Sequence, residues 1–387
     1  LDILILAGEV SGDLHASGLL REFRRLEPRA RFFGTGGDRM AAQGCELVYH
    51  VKDIAFMGFA EVIRHLPFIR RMMNRLLVEC RRRRPAAVVL VDYPGFNLRF
   101  AARLRKIPEL AQTPILYYIS PQVWAWHSSR IPKIARLVDR MAVIFDFEAP
   151  LYRTAGLSAD FVGHPLLEVV EPALDKAAFL RDLGLDGTGP LLALTPGSRL
   201  QEVRRLFPLF LETAARLRRD FPGLTALVGC VPSLDLSVYR DVTRAAGSGE
   251  EVRLLTDRTY DLLAHSDAAL VASGTVTLET ALLGTPLVVA YRVAPSTYWI
   301  ARRVIRIPYI ALANVVAGRK VVPEFIQDQA TPEALAAELA SLLNDTPRRR
   351  AMLEDLAEVK ARLGPGGASA NVARLLQSMV SPQDDRA

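Results

Sequence analysis

With 387 residues, half of them apolar, and a net charge of +7, the chain has material for two ordinary domains with ample cores, and its charge favours anionic partners: phosphorylated substrate, anionic lipid or nucleic acid. Three cysteines, Cys45, Cys80 and Cys230, lie far apart with no His/Cys cluster at metal-ligand spacing, which argues against a disulfide scaffold and against structural zinc. The longest uncharged stretch, near Tyr117, is broken by Pro121 and is too short to span a bilayer, and the N-terminus opens on a strand pattern without signal-peptide features; a cytoplasmic protein lacking a transmembrane helix is expected.

Ile3 to Ala7 reads as a buried strand, followed by Gly8-Glu9-Val10-Ser11-Gly12-Asp13 and a helix whose apolar face carries Leu14, Leu19, Phe23 and Leu26. The opening is that of a nucleotide-binding α/β domain, but Gly8 and Gly12 lack the G-x-G-x-x-G order and Glu9 would repel a pyrophosphate, so a dinucleotide cofactor is not expected. Gly34, Gly36 and Gly37 mark a second strand-to-helix turn. From Gly58 to Arg84 large apolar residues share the chain with arginines. One reading is a face resting on anionic lipid, with Ile63, Phe68, Ile69, Arg70, Arg71, Met72 and Arg75 toward the membrane; the other is a buried helix with a solvated Arg face.

Ala87 to Val91 forms a strand with Asp92 at its carboxyl end, in Asp92-Tyr93-Pro94-Gly95-Phe96-Asn97, where an acid is well placed for chemistry or, alternatively, for capping the next helix. Ile115 to Ile119 leads to Ser120-Pro121-Gln122-Val123-Trp124-Ala125-Trp126-His127, a pocket wall or a core tryptophan pair. Met141 to Phe145 and Phe161 to Pro165 finish the first half, and the Gly- and Pro-rich residues 166 to 190 read as a linker.

Leu191 to Leu194 restarts the pattern at Thr195-Pro196-Gly197-Ser198-Arg199, where Gly197 and Ser198 offer backbone N–H groups and Arg199 a cation. Ala268 to Ala272, the turn Ser273-Gly274-Thr275, a helix to Leu283 and a strand from Leu287 make a strand-helix-strand unit of a parallel sheet. The helix start favours an anion by roughly 0.3 to 1 kcal/mol. Glu279, one turn on, is in reach of a sugar hydroxyl or simply faces solvent. Asn314 sits in a loop past Tyr309, two helices close the chain around Gly364 to Gly367, and the end from Ser381 reads as frayed.

In their order and spacing, Ala7-Gly8-Glu9-Val10-Ser11-Gly12-Asp13, Met57-Gly58, Val91 to Asn97, Tyr118 to Trp126, Val162-Gly163-His164-Pro165, Pro196 to Arg199 and Ala272 to Thr275 resemble the lipid-A-disaccharide synthases, bacterial inverting glycosyltransferases, along nearly the whole chain. The resemblance implies a GT-B architecture: two Rossmann-like, doubly wound parallel-sheet domains facing across a cleft. The N-terminal domain would span 1–168 and bind acceptor and membrane, 169–189 would be the linker, 190–345 the UDP-sugar domain, and 346–387 helices packing back on the N-terminal domain. It implies transfer of 2,3-diacylglucosamine from its UDP derivative to 2,3-diacylglucosamine 1-phosphate, giving the β-1,6-linked disaccharide 1-phosphate and UDP, at the cytoplasmic face of the inner membrane.

Carried over residue by residue, Asp92 is the general base; Gly197, Ser198, Arg199, Ser273, Gly274, Thr275, Glu279 and Asn314 bind the nucleotide, its phosphates or the donor sugar; and Glu9, Ser11, Gly12, Asp13, Gln122 and Trp124 line the acceptor pocket. No cofactor and no metal are implied, the UDP-sugar being a substrate, and a homodimer is compatible. Two positions depart from the family pattern, Ala313 before Asn314 and Thr195 before Pro196. A UDP-N-acetylglucosamine epimerase or another soluble UDP-sugar enzyme would account for the same phosphate sites but not for the Arg- and Met-rich segment. A basic nucleic-acid-binding protein would have to use Arg81 to Arg84 without aromatic–basic platforms.

Overall fold

The computed structural model describes residues 1–54, 66–126, 128–247, 252–294, 298–299 and 308–381; Met57, Gly58, Ile63 and His127 of the sequence reading lie outside them. The chain divides into two compact units, Leu1–Pro165 with Gly364–Ala387, and Leu166–Leu363. The first runs β1 (Asp2–Ala7), α1 (Val10–Leu26), β2 (Arg31–Gly36), α2 (Asp38–Ala42), β3 (Glu46–His50), α3 (Val51–Ile54), α4 (Leu66–Arg83), β4 (Ala87–Val91), α5 (Pro94–Leu104), β5 (Ile115–Tyr118), α6 (Val123–Trp126), α7 (Ile131–Ala135), β6 (Arg140–Val143), α8 (Glu148–Arg153) and β7 (Ser158–Phe161). The second runs α9 (Lys176–Asp182), β8 (Leu191–Thr195), α10 (Leu200–Asp220), β9 (Thr225–Cys230), α11 (Leu236–Ala245), β10 (Val252–Thr256), α12 (Thr259–His265), β11 (Ala268–Ala272), α13 (Val276–Leu282), β12 (Leu287–Tyr291), α14 (Leu312–Ala317), β13 (Glu324–Ile326), α15 (Pro332–Leu343) and α16 (Pro347–Arg362). A last helix, α17 (Ala368–Val380), rejoins the first unit.

Each unit is built on one parallel sheet, in the order β3-β2-β1-β4-β5-β6-β7 in the first and β10-β9-β8-β11-β12-β13 in the second. The central strands are apolar on both faces, as helices on both sides require. Alternation along them sorts the core of the first unit: Leu4, Leu6, Val88 and Leu90 pack with Met72, Met73 and Leu76 of α4 and with Phe100 of α5. Ile3, Ile5, Val89 and Val91 pack with Leu19, Leu20 and Phe23 of α1 and with Val372, Ala373 and Leu376 of α17.

Both orders reverse once. In the first unit the chain leaves β1 toward β2 and β3, then returns to β4 on the other side of β1; in the second it leaves β8 toward β9 and β10 and returns to β11. At each reversal the two flanking loops diverge and leave a crevice at the carboxyl ends of the strands, the place where open α/β sheets bind ligands.

The domain boundaries differ from the expected ones. Residues 169–189 are packed structure of the second unit: Phe179 is buried with its ring 5.3 Å from that of His265, and the Leu174 N–H donates to the Asp261 carboxylate at 2.9 Å. Of the closing helices α16 also belongs there, since Met352, Leu356 and Val359 are buried and Arg349 donates to the Asp267 carbonyl at 2.6 Å. Only α17 packs on α1, where Gln377 donates to Glu27 at 3.0 Å and Asn371 to the Val162 carbonyl at 2.8 Å.

The α4 region also departs from expectation. Met72 is fully buried, so it faces the core and not lipid, and Phe68 rests edge-on against Tyr49 at 5.8 Å. The Arg run is spent on acids: Arg82 and Arg83 grip the buried Glu79 (2.6 and 3.1 Å), Arg83 also binds Glu46, Arg81 binds Glu109 at 3.1 Å, and Arg75 binds Glu79 at 3.0 Å. Arg70, Arg71 and Arg99 form no ion pair among the described residues; with Leu66, Ile69 and Met73 they line a groove of about 770 Å³. No helix among the described residues is long and apolar enough to cross a membrane.

Because Leu376 fills the α1–α17 seam, Leu376→Ala is expected to cost about 2–5 kcal/mol of the first unit's stability. The readout is the midpoint of urea unfolding, and an unmoved midpoint would mean that α17 contributes nothing to that core.

Candidate active site

In the first unit the reversal sets the β1–α1 loop beside the β4–α5 loop. The two touch at Gly8, where an added Cβ would lie 2.2 Å from the Tyr93 ring, so only glycine lets that ring lie against the loop. Asp92 and Tyr93 both adopt the left-handed conformation, φ 45° and 46°, which costs non-glycine residues on the order of 1 kcal/mol or more each. The turn is held by its surroundings. The Asp92 carbonyl accepts hydrogen bonds from the Asn97 side chain and the Tyr117 hydroxyl, each at 2.7 Å, and the Asp92 N–H donates to the Tyr118 carbonyl at 2.9 Å.

With its backbone fixed by buried Asn97 and Tyr117, the Asp92 carboxyl has no side-chain hydrogen bond or ion pair among the described residues. Burial, then the negative charge of Glu9, push it up to about 6, with the Tyr93 N–H pulling the other way. Asp92 does not cap α5: Pro94 opens that helix, and the cap position is Tyr93.

Around this turn the predicted acceptor residues divide. Glu9 and Ser11 are exposed, and Gly12 packs closely on Ala7. Asp13 is a correction. It is buried and accepts the N–H groups of Gly37, Arg39 and Met40 at 2.6 to 3.1 Å, so both of its oxygens are engaged in capping α2. Gln122 is exposed and Trp124 partly so, in the loop after β5. The Trp124 indole N–H donates at 3.0 Å to Glu148, a buried acid the sequence reading did not single out although it follows a strand as Asp92 does.

In the second unit the reversal brings the Pro196–Arg199 loop beside the Ser273–Thr275 loop. Here the expected free N–H group of Ser198 is already taken. Glu202, three residues into α10, accepts from Ser198 N–H at 3.1 Å, Arg199 N–H at 3.3 Å and the Arg199 guanidinium at 2.9 Å, and its carboxylate lies on Gly197. Arg199 itself is mostly in water, 79% exposed, with most of its five N–H donors unspent.

Across the reversal, Gly274 has open space in front of it, Thr275 is exposed, and the Ser273 hydroxyl donates to the Ile310 carbonyl at 2.8 Å. Glu279 does not lie on a solvent face: burial raises its carboxyl to about 7, against a hydrogen bond from Tyr260 that pulls it down. Asn314 is the second correction. Fully buried in α14, it donates to Val322 O and Glu324 and accepts from Val321 and Val322 N–H, at 2.7 to 2.9 Å, so its amide is used up in tying that helix to the segment that enters β13.

Residues 3–370 match the profile of the lipid-A-disaccharide synthetase family. A lipid-A-disaccharide synthase of Geobacter metallireducens is 44% identical over 379 residues, covering 98% of this chain and 97% of that one. Among solved structures, the UDP-GlcNAc 2-epimerase of Neisseria meningitidis bound to UDP-GlcNAc superposes with TM-score 0.66 at 11% identity, covering 98% of this chain and all of that one (100%). The calicheamicin glycosyltransferase CalG4 gives 0.59 at 17%, covering 98% of each. These structures establish the GT-B fold alone, which epimerases and transferases share. The sequence match decides between them: the chain belongs to the lipid-A-disaccharide synthetase family.

Proposed function

We propose that this chain, a glycosyltransferase of lipid A biosynthesis by its family, transfers 2,3-diacylglucosamine from its UDP derivative to the 6-hydroxyl of 2,3-diacylglucosamine 1-phosphate, with Asp92 as the base. The observation that carries this assignment is the Asp92 turn, a strained backbone fixed by two buried donors at a sheet reversal, presenting a carboxyl whose basicity lies near neutral pH. The acceptor oxygen bonds to the anomeric carbon as the bond from that carbon to the diphosphate oxygen breaks. The hydroxyl proton passes to the Asp92 carboxylate, and the electron pair of the broken bond leaves on UDP. One displacement inverts the anomeric centre.

The second unit supplies the grip on the donor. Charge grows on the diphosphate as it departs, and the spare donors of Arg199 and the start of α13 at Gly274 and Thr275 are suited to meet it. Glu279, with Tyr260, is suited to a ribose hydroxyl. Asn314 and Asp13 act only through the segments they hold. Glu9 and Ser11, Gln122 and Trp124 take the acceptor side. With a cation and helix N–H groups for the leaving group, no metal is needed.

Acylated substrates reach the enzyme from a membrane, and the groove between α4 and α5 supports a peripheral contact through Ile69, Arg70, Arg71 and Arg99. Arg75, Arg81, Arg82 and Arg83, engaged with acids, contribute less.

Three outcomes check this reading. Asp92→Asn lowers turnover at least about a hundredfold with donor affinity little changed. The ionised form of Asp92 is the base, so activity rises through about pH 6, and Glu9→Gln, which removes a raising influence, moves that limb to lower pH; near-wild-type turnover in the Asn variant would falsify the assignment. Arg199→Ala weakens UDP binding in calorimetry, while EDTA leaves wild-type turnover unchanged; an intact UDP affinity removes Arg199 from the site, and loss of activity to EDTA removes the metal-free account. Replacing Arg70 and Arg71 together by Gln weakens sedimentation with anionic vesicles about thirtyfold, at about 1 kcal/mol per charge. The same change at Arg81 and Arg82 does little, and equal losses at both pairs would count against the groove as the contact.

A further inference from the structure

We propose that Glu148 is a positioning residue for the acceptor: it holds the Trp124 indole in the orientation in which that ring packs on the acceptor sugar. The proposal rests on the reading of the first unit as the acceptor-binding one and deepens it. Glu148 opens α8, just past β6, and reaches the neighbouring loop past β5. Its Oε1 accepts from the Ser120 hydroxyl at 2.5 Å and the Trp124 indole N–H at 3.0 Å, and its Oε2 accepts from the Phe145 N–H at 3.2 Å. The carboxyl is 1% exposed and has no cationic partner among the described residues.

A buried acid without a countercharge is an expensive way to fill space. A leucine would pack there at less cost, but it would leave three buried donors unsatisfied. The three groups around Glu148 are all donors, so a group that only accepts is the one that satisfies them together. Burial raises the acid to about 7, and these donors pull it back.

Two further observations point to a constraint beyond folding. Ile119, the residue before Ser120, has φ 64°, a left-handed conformation that a β-branched residue rarely adopts and that persists only where the surroundings impose it. The Trp124 ring is also fixed from the side, perpendicular to Phe147 at 5.3 Å and to Phe145 at 6.5 Å, with Phe145 and Phe147 stacked on each other. Held at its N–H and packed at right angles to two phenylalanine rings, and still partly exposed, the indole stands beside the strand that carries Asp92. Sugar C–H faces pack on such a ring.

The test measures steady-state kinetics with both acylated substrates for Glu148→Gln, Trp124→Phe and the double variant, with circular dichroism as the folding control. The expected result is an acceptor KM raised at least about tenfold in each single variant, a donor KM within about twofold of wild type, and a double variant no worse than the weaker single one, because both changes remove one interaction. Should Glu148→Gln not fold, Glu148→Asp, which draws the acceptor group back by one methylene, takes its place with the same expectation. An unmoved acceptor KM in the Glu148 variant while Trp124→Phe raises it, or additive losses in the double variant, overturns the proposal and leaves the functional reading standing. An unmoved acceptor KM in Trp124→Phe takes Trp124 out of the acceptor pocket and overturns the proposal with it. Wild-type protein that releases no UDP from these substrates sinks the functional reading itself.

Discussion

A parallel sheet whose strand order reverses once has a single place where two neighbouring loops part, and in each unit of this chain the residues proposed for the chemistry sit at that place. The reversal between β1 and β4 sets Glu9 beside Asp92; the one between β8 and β11 sets Arg199 beside Gly274 and Thr275. This follows from burial. Strands covered on both faces cannot present polar side chains along their length without leaving them unsolvated, so polar function is confined to the loops at the strand ends. Within those loops the backbone is held by buried side chains, and function is left to the groups the scaffold does not consume.

That division shows most clearly among the acids. Asp13, Glu79 and Glu202 are each surrounded by donors or cations and serve structure: a cap for α2, the anchor of the α4 arginines, and the closure of the Gly197 turn. Asp92 and Glu279 are half-buried with few donors and are pushed up to about 6 and about 7, which makes them poor fold stabilisers in ionised form and good proton or hydrogen-bond acceptors near neutral pH. Glu148 falls between, with donors enough to fix its geometry and burial enough to keep it near 7.

Much of this was legible in the sequence, because apolar strand runs followed by turn residues specify a parallel α/β sheet and locate its carboxyl-edge loops. The positions of Asp92, Arg199 and Gly274 just past the carboxyl ends of their strands, and of Glu279 one turn further on, were readable that way. What stayed hidden depends on long-range contacts. Nothing in the Gly12-Asp13 dipeptide tells that the carboxylate reaches the N–H groups of Gly37 and Met40, and Asn314, read as a loop residue, stands in α14, where its partners Val322 and Glu324 are known only once the chain has turned back. Glu202 was accessible in principle, being three residues past the cap position, the spacing of a capping box. Glu148 could have been suspected as a second acid at a strand end, but its partners lie on another loop. The domain to which each closing helix belongs was not legible, because which core the apolar residues of α16 and α17 enter depends on long-range packing that the segments themselves do not announce.

The arginines of α4 show why a charge count does not locate a binding surface. Arg81 to Arg84 is the densest basic run in the chain, yet Arg82 and Arg83 neutralise a carboxylate that the packing of α4 has buried, and Arg83 also lies 4.5 Å over the Phe33 ring. Those cations are bound in place by the fold, and removing them would leave the buried Glu79 with Arg75 alone. Arg70 and Arg71, less conspicuous in sequence, form no ion pair among the described residues and stand beside apolar side chains at the mouth of a groove. A cation already paired with a carboxylate gains little by exchanging it for a lipid phosphate. An unpaired one gains the full attraction, so any pull toward an anionic surface comes from the start of α4 and not from its basic end.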